Sequence, residues 1–184
     1  MSNLQSIQKP AIEIILDGIN IANAKKLFTD SSAFSQLITW SDPVDATVNG
    51  SDDNTMITIT ATDASPYIGS RDIYYYREDI NNILSTKKAP ISVGSASTLY
   101  GIIDNLNEAF GVYFTKDDLV NVAIPAYPGA GEPWIITIAA KSTSLLFKGS
   151  CSYDLNGQTI FADTDGYYRE YFILSKDYDS TNYK

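Results

Sequence analysis

The sequence predicts an α+β fold made of two tandem similar modules, each a short helix followed by a β-hairpin or small antiparallel sheet. The main observation is a repeat: residues 57–70 read ITITATDASPYIGS, and residues 136–150 read ITIAAKSTSLLFKGS. Each stretch begins with an Ile/Thr alternation, passes a polar segment containing Ser, and reaches Gly-Ser after apolar residues. Such alternation is typical of a strand with one buried face, and the polar segment is typical of a turn.

A segment with helical spacing precedes each of these stretches. Residues 14–29 read IILDGINIANAKKLFT, and residues 102–115 read IIDNLNEAFGVYFT. Both contain an apolar-Asp pair and an apolar-Asn pair, and both end in Phe-Thr, with apolar residues spaced as on one face of a helix. We therefore expect each half to begin with a short amphipathic helix. We also expect Asn20 and Asn107 to hydrogen-bond to adjacent loop backbone.

The strand alternation predicts which side chains enter the core. We expect Ile57, Ile59, Ile136 and Ile138 to be buried, and the Thr residues beside them to be more exposed. A single module with one short helix has a thin core, whereas two related modules can bury their faces against each other. The predicted division is a first module over residues 1–90, a second over 91–156, and a C-terminal strand and tail over 157–184.

Composition narrows the classes of partner. The 184 residues carry a formal net charge of −9, which repels nucleic-acid phosphates and anionic lipid headgroups. No apolar stretch is long enough to cross a membrane, so we expect neither nucleic acid nor membrane as a partner. The first residues lack the basic start and long apolar run of a signal peptide, and Cys151 is the single cysteine, so we expect folding in a reducing cytoplasm.

The residue types needed for common catalytic and metal sites are scarce. The chain has no histidine, which excludes a Ser-His-Asp or Cys-His arrangement and makes a zinc site unexpected. A pair of carboxylates acting as a glycosidase stays formally open. Asp163 and Asp165 resemble part of a calcium loop, but the remaining ligands are missing, and an Asp-Gly turn explains them better. We assign no catalytic, cofactor-binding or metal residues and expect a protein that is not an enzyme.

Aromatic side chains are the best candidates for contact with partners. The chain has 13 tyrosines, and the tyrosine ring with its polar tip suits interfaces as well as strands. The candidate interface residues are Trp40, Tyr75, Trp134, Tyr167 and Tyr168. Exposed aromatic rings in a shallow cleft would favour a carbohydrate- or receptor-binding module instead, because such rings stack on sugars.

Several of these motifs together resemble a known class of protein. The second half carries an Asn-containing helix, an aromatic-Gly step and Thr-x-x-Asp-Leu in LNEAFGVYFTKDDLV, then IITIAAKSTSLLFKGSCSYDL; the first half carries ATDASPYIGSRDIYYYRED. This pattern resembles modules of virion structural proteins of large tailed bacteriophages and covers most of residues 11–155. The first half departs from it, because Asn23, Ala24 and Lys25 stand where the aromatic-Gly step is expected.

The resemblance implies a building part of a phage particle, made in the host cytoplasm and located in the virion. It implies a non-enzymatic function in the tail or neck region, with other virion proteins and further copies of the same chain as partners and without a cofactor. The alternatives are a capsid decoration protein and a carbohydrate- or receptor-binding module.

Overall fold

The computed structural model describes residues 9–22, 35–85 and 88–157. Its helices are α1 (Ala11–Ala22), α2 (Ile80–Ser85) and α3 (Ile103–Phe110), the last directly preceded by a 3-10 turn at Leu99–Ile102. Its strands are β1 (Ile38–Trp40), β2 (Val44–Asp45), β3 (Thr55–Ala61), β4 (Ser70–Tyr75), β5 (Glu78–Asp79), β6 (Ile135–Ala139), β7 (Phe147–Lys148) and β8 (Ser150–Asp154). Short helices combined with small antiparallel sheets confirm the predicted α+β class.

The first sheet is built around β3. Strand β4 pairs along one side of β3, and β1 and β2 share the other side, all antiparallel. Ile57 is 1% exposed, whereas Ile59 is only half-buried and lines the groove between α1 and β4. Thr60 is exposed and Thr58 is half-buried, so the predicted alternation of faces is confirmed at Ile57, whereas the expected burial of Ile59 is wrong.

The second sheet is the hairpin of β6 and β8. Ile136 lies opposite Tyr153, and Ile138 lies opposite Cys151. Ile136 and Ile138 are both buried, and Thr137 between them is exposed, which confirms the predicted register here as well.

A pairing that the sequence did not predict joins the two halves. Strands β5 and β7 run parallel, with Glu78 opposite Phe147 and Asp79 opposite Lys148. Strand β5 follows the first hairpin, and β7 lies just before β8 in the second. The two hairpins are therefore held together by backbone pairing as well as by side-chain packing.

Two groups of buried apolar residues form the cores. The first lies between α1 and the first sheet and consists of Ile15, Leu16, Ile19, Ile38, Ile57 and Leu145. The second lies between α2, α3 and the second hairpin, and includes Ile80, Ile83, Leu106, Phe114, Ile138 and Phe147. Leu145 of the second half thus enters the first core, and α2, which follows the first hairpin, enters the second.

The position of α2 in the second core can be compared with the predicted division of the chain at residue 90. Residues 80–85 fall within the predicted unit 1–90, yet their buried side chains pack in the second core. The unit boundaries and the tandem duplication stay predictions. The predicted C-terminal strand and tail lie, after residue 157, outside the described residues.

The Asn107 side chain has the architectural role that the sequence predicted. Its amide nitrogen donates to the Phe114 carbonyl over 2.9 Å, and its amide oxygen accepts from the Phe114 N–H over 2.7 Å. These bonds fix the chain that leaves α3, so the predicted contact with loop backbone is confirmed for Asn107. For Asn20 it stays a prediction. Across the described parts of the chain, no helix is both long enough and apolar enough to span a membrane.

Candidate interaction surface

The structure separates the aromatic residues that the sequence proposed as one interface. Trp40 is 38% exposed on β1, beside the start of α1. Trp134 is half-buried in the second half; its indole Nε1 donates to the Pro125 carbonyl over 2.8 Å. Tyr75 is half-buried in a groove between α1 and β4. These three side chains therefore do not form one platform.

The remaining aromatic candidates and the calcium-like segment cannot be placed. Tyr167 and Tyr168 lie outside the described residues, as do Asp163 and Asp165. Within the described ranges, no group of three or more Cys, Asp or Glu side chains is arranged to hold a metal ion.

Arg77 forms the polar centre of the junction between the halves. It is 5% exposed, and its guanidinium Nε donates to Thr55 Oγ1 over 2.9 Å. Nη2 contacts the Asp45 carboxylate at 3.2 Å, and Nη1 donates to the Ser144 carbonyl over 3.3 Å. The guanidinium is thus satisfied by acceptors from both halves, which explains how a buried charge is tolerated there.

The turns of the two hairpins have matching hydrogen bonds. We call residues 62–69 the first turn and residues 141–149 the second turn. At their closing ends, Ala61 N–H donates to the Gly69 carbonyl and Ala140 N–H donates to the Gly149 carbonyl, each over 3.0 Å. Gly69 and Gly149 have φ values of 86° and 77°, a left-handed conformation that glycine adopts without strain.

The match continues inside the turns. Ser65 N–H donates to the Thr62 carbonyl over 2.9 Å, and Ser144 N–H donates to the Lys141 carbonyl over 3.0 Å. On the neighbouring strands, Ile38 lies opposite Ala61 and Leu119 lies opposite Ala140. The two turns therefore offer similar backbone surfaces to whatever packs on them.

The second turn is covered by the segment that leaves the first hairpin. Glu78 N–H donates to the Leu146 carbonyl over 2.9 Å and begins the parallel pairing of β5 with β7. The Asp79 carboxylate lies over Gly149, so that a Cβ on this glycine would come within 2.6 Å of Oδ1. Asp79 Oδ1 also accepts from the Asn81 N–H at the start of α2. Phe147 of β7 is fully buried in the second core, with its ring 4.6 Å from that of Phe114.

The first turn is contacted at its start, where Thr62 N–H donates to the Leu37 carbonyl and Thr62 Oγ1 donates to the Gln36 carbonyl, each over 2.9 Å. Ile68 is 97% exposed, and Tyr67 is 40% exposed. A Cβ on Gly69 would have no atom within 4 Å. Among the large apolar side chains of the described residues, Ile68 is the most exposed, and the half-exposed Tyr67 lies next to it, so this position is a contact candidate.

The exposed apolar side chains of the described chain are concentrated in its first half. Those of the second half are Tyr113, Val120 and Tyr127. Those of the first half are Ile21, Trp40, Val44, Tyr67, Ile68, Tyr74 and Tyr76. Tyr74 and Tyr76 are exposed, and Tyr75 between them is half-buried.

The ionisable groups at the junction are perturbed by burial. Burial raises the pKa of the Glu78 carboxyl, whose Oε2 makes no hydrogen bond within the described residues. Burial, with a smaller effect of the Asp79 charge, raises the pKa of the Cys151 thiol. A raised thiol pKa keeps the nucleophilic thiolate scarce at neutral pH. Cys151 therefore fits a packing role.

Sequence reasoning missed the most exposed apolar residue. Ile68 stands in SPYIGS, two residues after Pro66 and directly before Gly69; this Pro and Gly predict a turn but not what covers it. Comparison of this stretch with SLLFKGS could have indicated Ile68, because the second turn has a lysine before its glycine at the position where the first turn has the apolar Ile68.

Comparison with known proteins gives one result. No curated protein and no solved structure matches the chain. The model of a family of unknown function, DUF7941, matches residues 5–157, which is most of the chain and ends where the described residues end. The chain belongs to the DUF7941 family.

Proposed function

We propose that the chain is a non-enzymatic structural component of a bacteriophage virion that assembles through protein–protein contacts in the tail or neck region. The observation that carries this proposal is the first turn, where Ile68 is 97% exposed on a backbone surface like the one that is covered in the second turn. The sequence resemblance to virion structural proteins supplies the particle as the setting.

The physical argument rests on the distribution of apolar surface. A chain with a net charge of −9 stays soluble by mutual repulsion, yet it presents apolar side chains on one half. Surfaces of this kind mark contact sites between proteins. In a symmetric particle the same contact recurs in every copy, so modest contacts add up.

The buried polar groups support a building role. Asp118 is 4% exposed; its Oδ2 accepts from Thr115 Oγ1 over 2.6 Å, and its Oδ1 accepts from Ser144 Oγ over 2.8 Å. Asp154 Oδ1 accepts from the Trp134 N–H over 2.9 Å. These carboxylates, like Arg77, hold loops and strands in place. Their hydrogen bonds fix the fold.

The test is quantitative mass spectrometry of purified particles of the phage that encodes the chain, with tails, necks and capsids separated first. The proposal expects the chain at a fixed copy number in the tail or neck fraction after high-salt washing. Enrichment in the capsid fraction would favour a decoration protein. Absence from washed particles, with abundance in the infected-cell extract, would overturn the proposal.

A cleft beside Trp40 favours a second candidate, a carbohydrate- or receptor-binding module. The cleft has a volume of about 410 Å³ and is lined by Trp40, Asp117, Lys141 and Thr143 among others. An indole beside carboxylate and hydroxyl groups is a suitable site for a sugar ring. The test is a glycan array probed with the wild-type chain and with Trp40→Ala. Binding that Trp40→Ala abolishes would support this candidate, and no binding by the wild type would exclude it for the glycans displayed.

A further inference from the structure

We propose that the outer edge of strand β4 pairs with β4 of a second copy of this chain, antiparallel and about a two-fold axis. This contact joins the first sheets of the two copies into one continuous sheet. The inference deepens the proposed assembly function and rests on it for its biological setting. Its geometry comes from β4 and the residues around it.

Strand β4 has one side that is paired within the chain and one that is not. On the paired side, Ala61 N–H donates to the Gly69 carbonyl over 3.0 Å, at the end of the ladder between β3 and β4. Backbone groups of successive residues point to opposite sides of a strand, so the odd-numbered residues of β4 bond towards β3 and the even-numbered residues point away. Among the described residues, no strand other than β3 pairs with β4. The outward N–H and carbonyl groups are those of Ser70, Asp72 and Tyr74.

The composition of β4 suits an edge that another strand covers. Proline, lysine and bulges are the usual means by which a sheet edge avoids pairing with another chain. Strand β4 reads SRDIYY, which contains neither proline nor lysine, and all six residues pair with β3 without a bulge. The corresponding strand of the second hairpin, β8, buries Tyr153 and Asp154. In β4, four residues are exposed: Ser70, Arg71, Asp72 and Tyr74.

Charges select one register for the pair. In a two-fold antiparallel pair, facing side chains share a face of the sheet, so the axis passes through a residue position. An axis at Asp72 places two carboxylates together, and an axis at Arg71 places two guanidinium groups together; both are unfavourable. An axis at Tyr74 leaves Arg71 without an opposite residue in the strand. The remaining register has its axis at Ile73, with Asp72 opposite Tyr74 and Arg71 opposite Tyr75.

The polar contacts in this register are complementary. Asp72 Oδ1 accepts from Thr58 Oγ1 over 2.7 Å in its own chain, and Oδ2 remains to accept from the Tyr74 hydroxyl of the second copy. Arg71 takes part in no ion pair within the described residues. Its side chain lies opposite the Tyr75 ring of the second copy, and a guanidinium beside an aromatic ring is a favourable arrangement. The two-fold axis repeats each contact.

Apolar surface meets on the other face of the sheet. The groove between α1 and β4 has a volume of about 510 Å³ and is lined by Ile14, Ile73 and Tyr75 among others. Ile73 is half-buried, so part of its side chain is open to water in a single chain. In the proposed pair, the Ile73 side chains of the two copies lie opposite each other beside this groove. Removal of their apolar surface from water stabilises the pair.

The experiment is sedimentation velocity of the purified full chain over a wide concentration range, with variants at two matched positions. Tyr74 and Val44 both lie opposite Met56, on either side of β3, and are 47% and 48% exposed. Tyr74→Glu places a carboxylate opposite Asp72 of the second copy, and Tyr74→Lys places an ammonium group there. Val44→Glu and Val44→Lys introduce the same charges away from the proposed contact. Because both positions are exposed, all four variants should keep the wild-type circular dichroism.

The inference expects the wild type and both Val44 variants to form a dimer as the concentration rises. Tyr74→Glu should require at least about tenfold higher concentration, because a like-charge pair occurs twice, and Tyr74→Lys should require no more than the wild type. A wild type that remains monomeric at every concentration overturns the inference. Equal effects of Tyr74→Glu and Tyr74→Lys overturn it as well, since the contact with Asp72 would then be absent.

Disulfide formation tests the register. In a Cys151→Ser background, Ile73→Cys places two thiols opposite each other at a position where Cα atoms lie about 4.5 Å apart, within reach of a disulfide. Asp72→Cys is the matched control, because Asp72 lies opposite Tyr74 and not opposite its own copy. The inference expects disulfide-linked dimers of Ile73→Cys in preference to Asp72→Cys. Equal amounts for the two variants, including none, or a preference for Asp72→Cys, would overturn the register.

The particle test of the proposed function is independent of these measurements. Dimers that depend on Tyr74, in a chain absent from washed particles, would refute only the proposed function. Presence in the tail or neck fraction of a chain that stays monomeric when purified would refute only this contact.

Discussion

Asp79 lies directly against Gly149, with its carboxylate in the space that a Cβ on the glycine would occupy, 2.6 Å from Oδ1. The corresponding space at Gly69 is open. The two glycines share a left-handed backbone and the same hydrogen bond from an alanine N–H. They therefore form a matched pair in which one site is covered by the other half of the chain and one is not.

This pair gives the first prediction. Gly69→Ala and Gly149→Ala should each lower the free energy of unfolding by about 1–2 kcal/mol, because an L-residue is disfavoured in the left-handed region. For Gly149→Ala the free energy of unfolding should fall by about 1–3 kcal/mol more, since the new methyl group must displace the Asp79 carboxylate from a packed site. Urea unfolding at low protein concentration measures both losses without a contribution from self-association. Equal losses would mean that Asp79 does not cover Gly149.

The second prediction concerns Arg77. Arg77→Ala should lower the free energy of unfolding by about 2–4 kcal/mol, because it removes a buried guanidinium and leaves Thr55 Oγ1 and the Ser144 carbonyl without their donor. Asp45→Asn should lose less than about 1 kcal/mol, since the Asp45 carboxylate is largely exposed and its ion pairs are screened by water. Chemical denaturation of both variants provides the measurement. Similar small losses for the two would show that Arg77 does not hold the halves together.

The third prediction is a pH dependence at Glu78. Burial raises the pKa of this carboxyl above its ordinary value of 4.5, so the folded chain binds its proton more tightly than the unfolded chain does. The contribution of Glu78 to stability is therefore lost as the pH rises from the unfolded pKa through the folded pKa. Glu78→Gln should melt at a higher temperature than the wild type at pH 7, and the difference should vanish below about pH 4.

Thermal unfolding followed at a series of pH values tests this dependence. Glu132→Gln, at an exposed site, removes the same charge and should leave the melting temperature nearly unchanged at every pH. A Glu78→Gln variant that is less stable than the wild type at pH 7 would show that the ionised carboxylate has a partner in the folded chain.

The fourth prediction compares two tyrosines. Burial raises the pKa of Tyr75 to about 12, and its hydroxyl makes no hydrogen bond in the described part of the chain. Tyr75→Phe should leave stability unchanged or raise it by up to about 1 kcal/mol, because an unpaired buried hydroxyl is removed. Tyr153→Phe should instead lower the free energy of unfolding by about 1–2 kcal/mol, since the Tyr153 hydroxyl donates to the Ala89 carbonyl over 2.6 Å.

Alkaline absorbance titration adds a second measurement for Tyr75. The wild type should contain a phenol that ionises at about pH 12, and Tyr75→Phe should lack it. An unchanged high-pH transition in Tyr75→Phe, together with a clear loss of stability, would place the Tyr75 hydroxyl in a hydrogen bond.

Local patterns were sufficient to predict the hairpin strands, most of their buried Ile residues and the helix α3. Alternation over residues 57–61 and 136–140 predicted the hairpin strands and their inward Ile residues, because a strand with one buried face imposes a period of two. Helical spacing predicted the position of α3. These features depend on neighbouring residues alone and are therefore readable from the sequence.

The contacts between the halves could not be read in this way. Strands β5 and β7 are two residues long, which is too short to show a period, and they pair across a long stretch of chain. The candidate surface was likewise missed at Ile68, since exposure in a turn depends on what packs above it. Aromatic content instead favoured Tyr75 and Trp134, whose rings the fold partly buries for its own packing.

The most direct test of assembly through protein–protein contacts is photo-crosslinking from the first turn in a mixture of light and heavy isotope-labelled chains. Benzoylphenylalanine in place of Tyr67 keeps an aromatic ring beside the exposed Ile68. The account predicts mixed light–heavy crosslinks that join position 67 of one copy to another copy, or crosslinks from this position to another virion protein in particles. Crosslinks confined to a single copy under both conditions would contradict it.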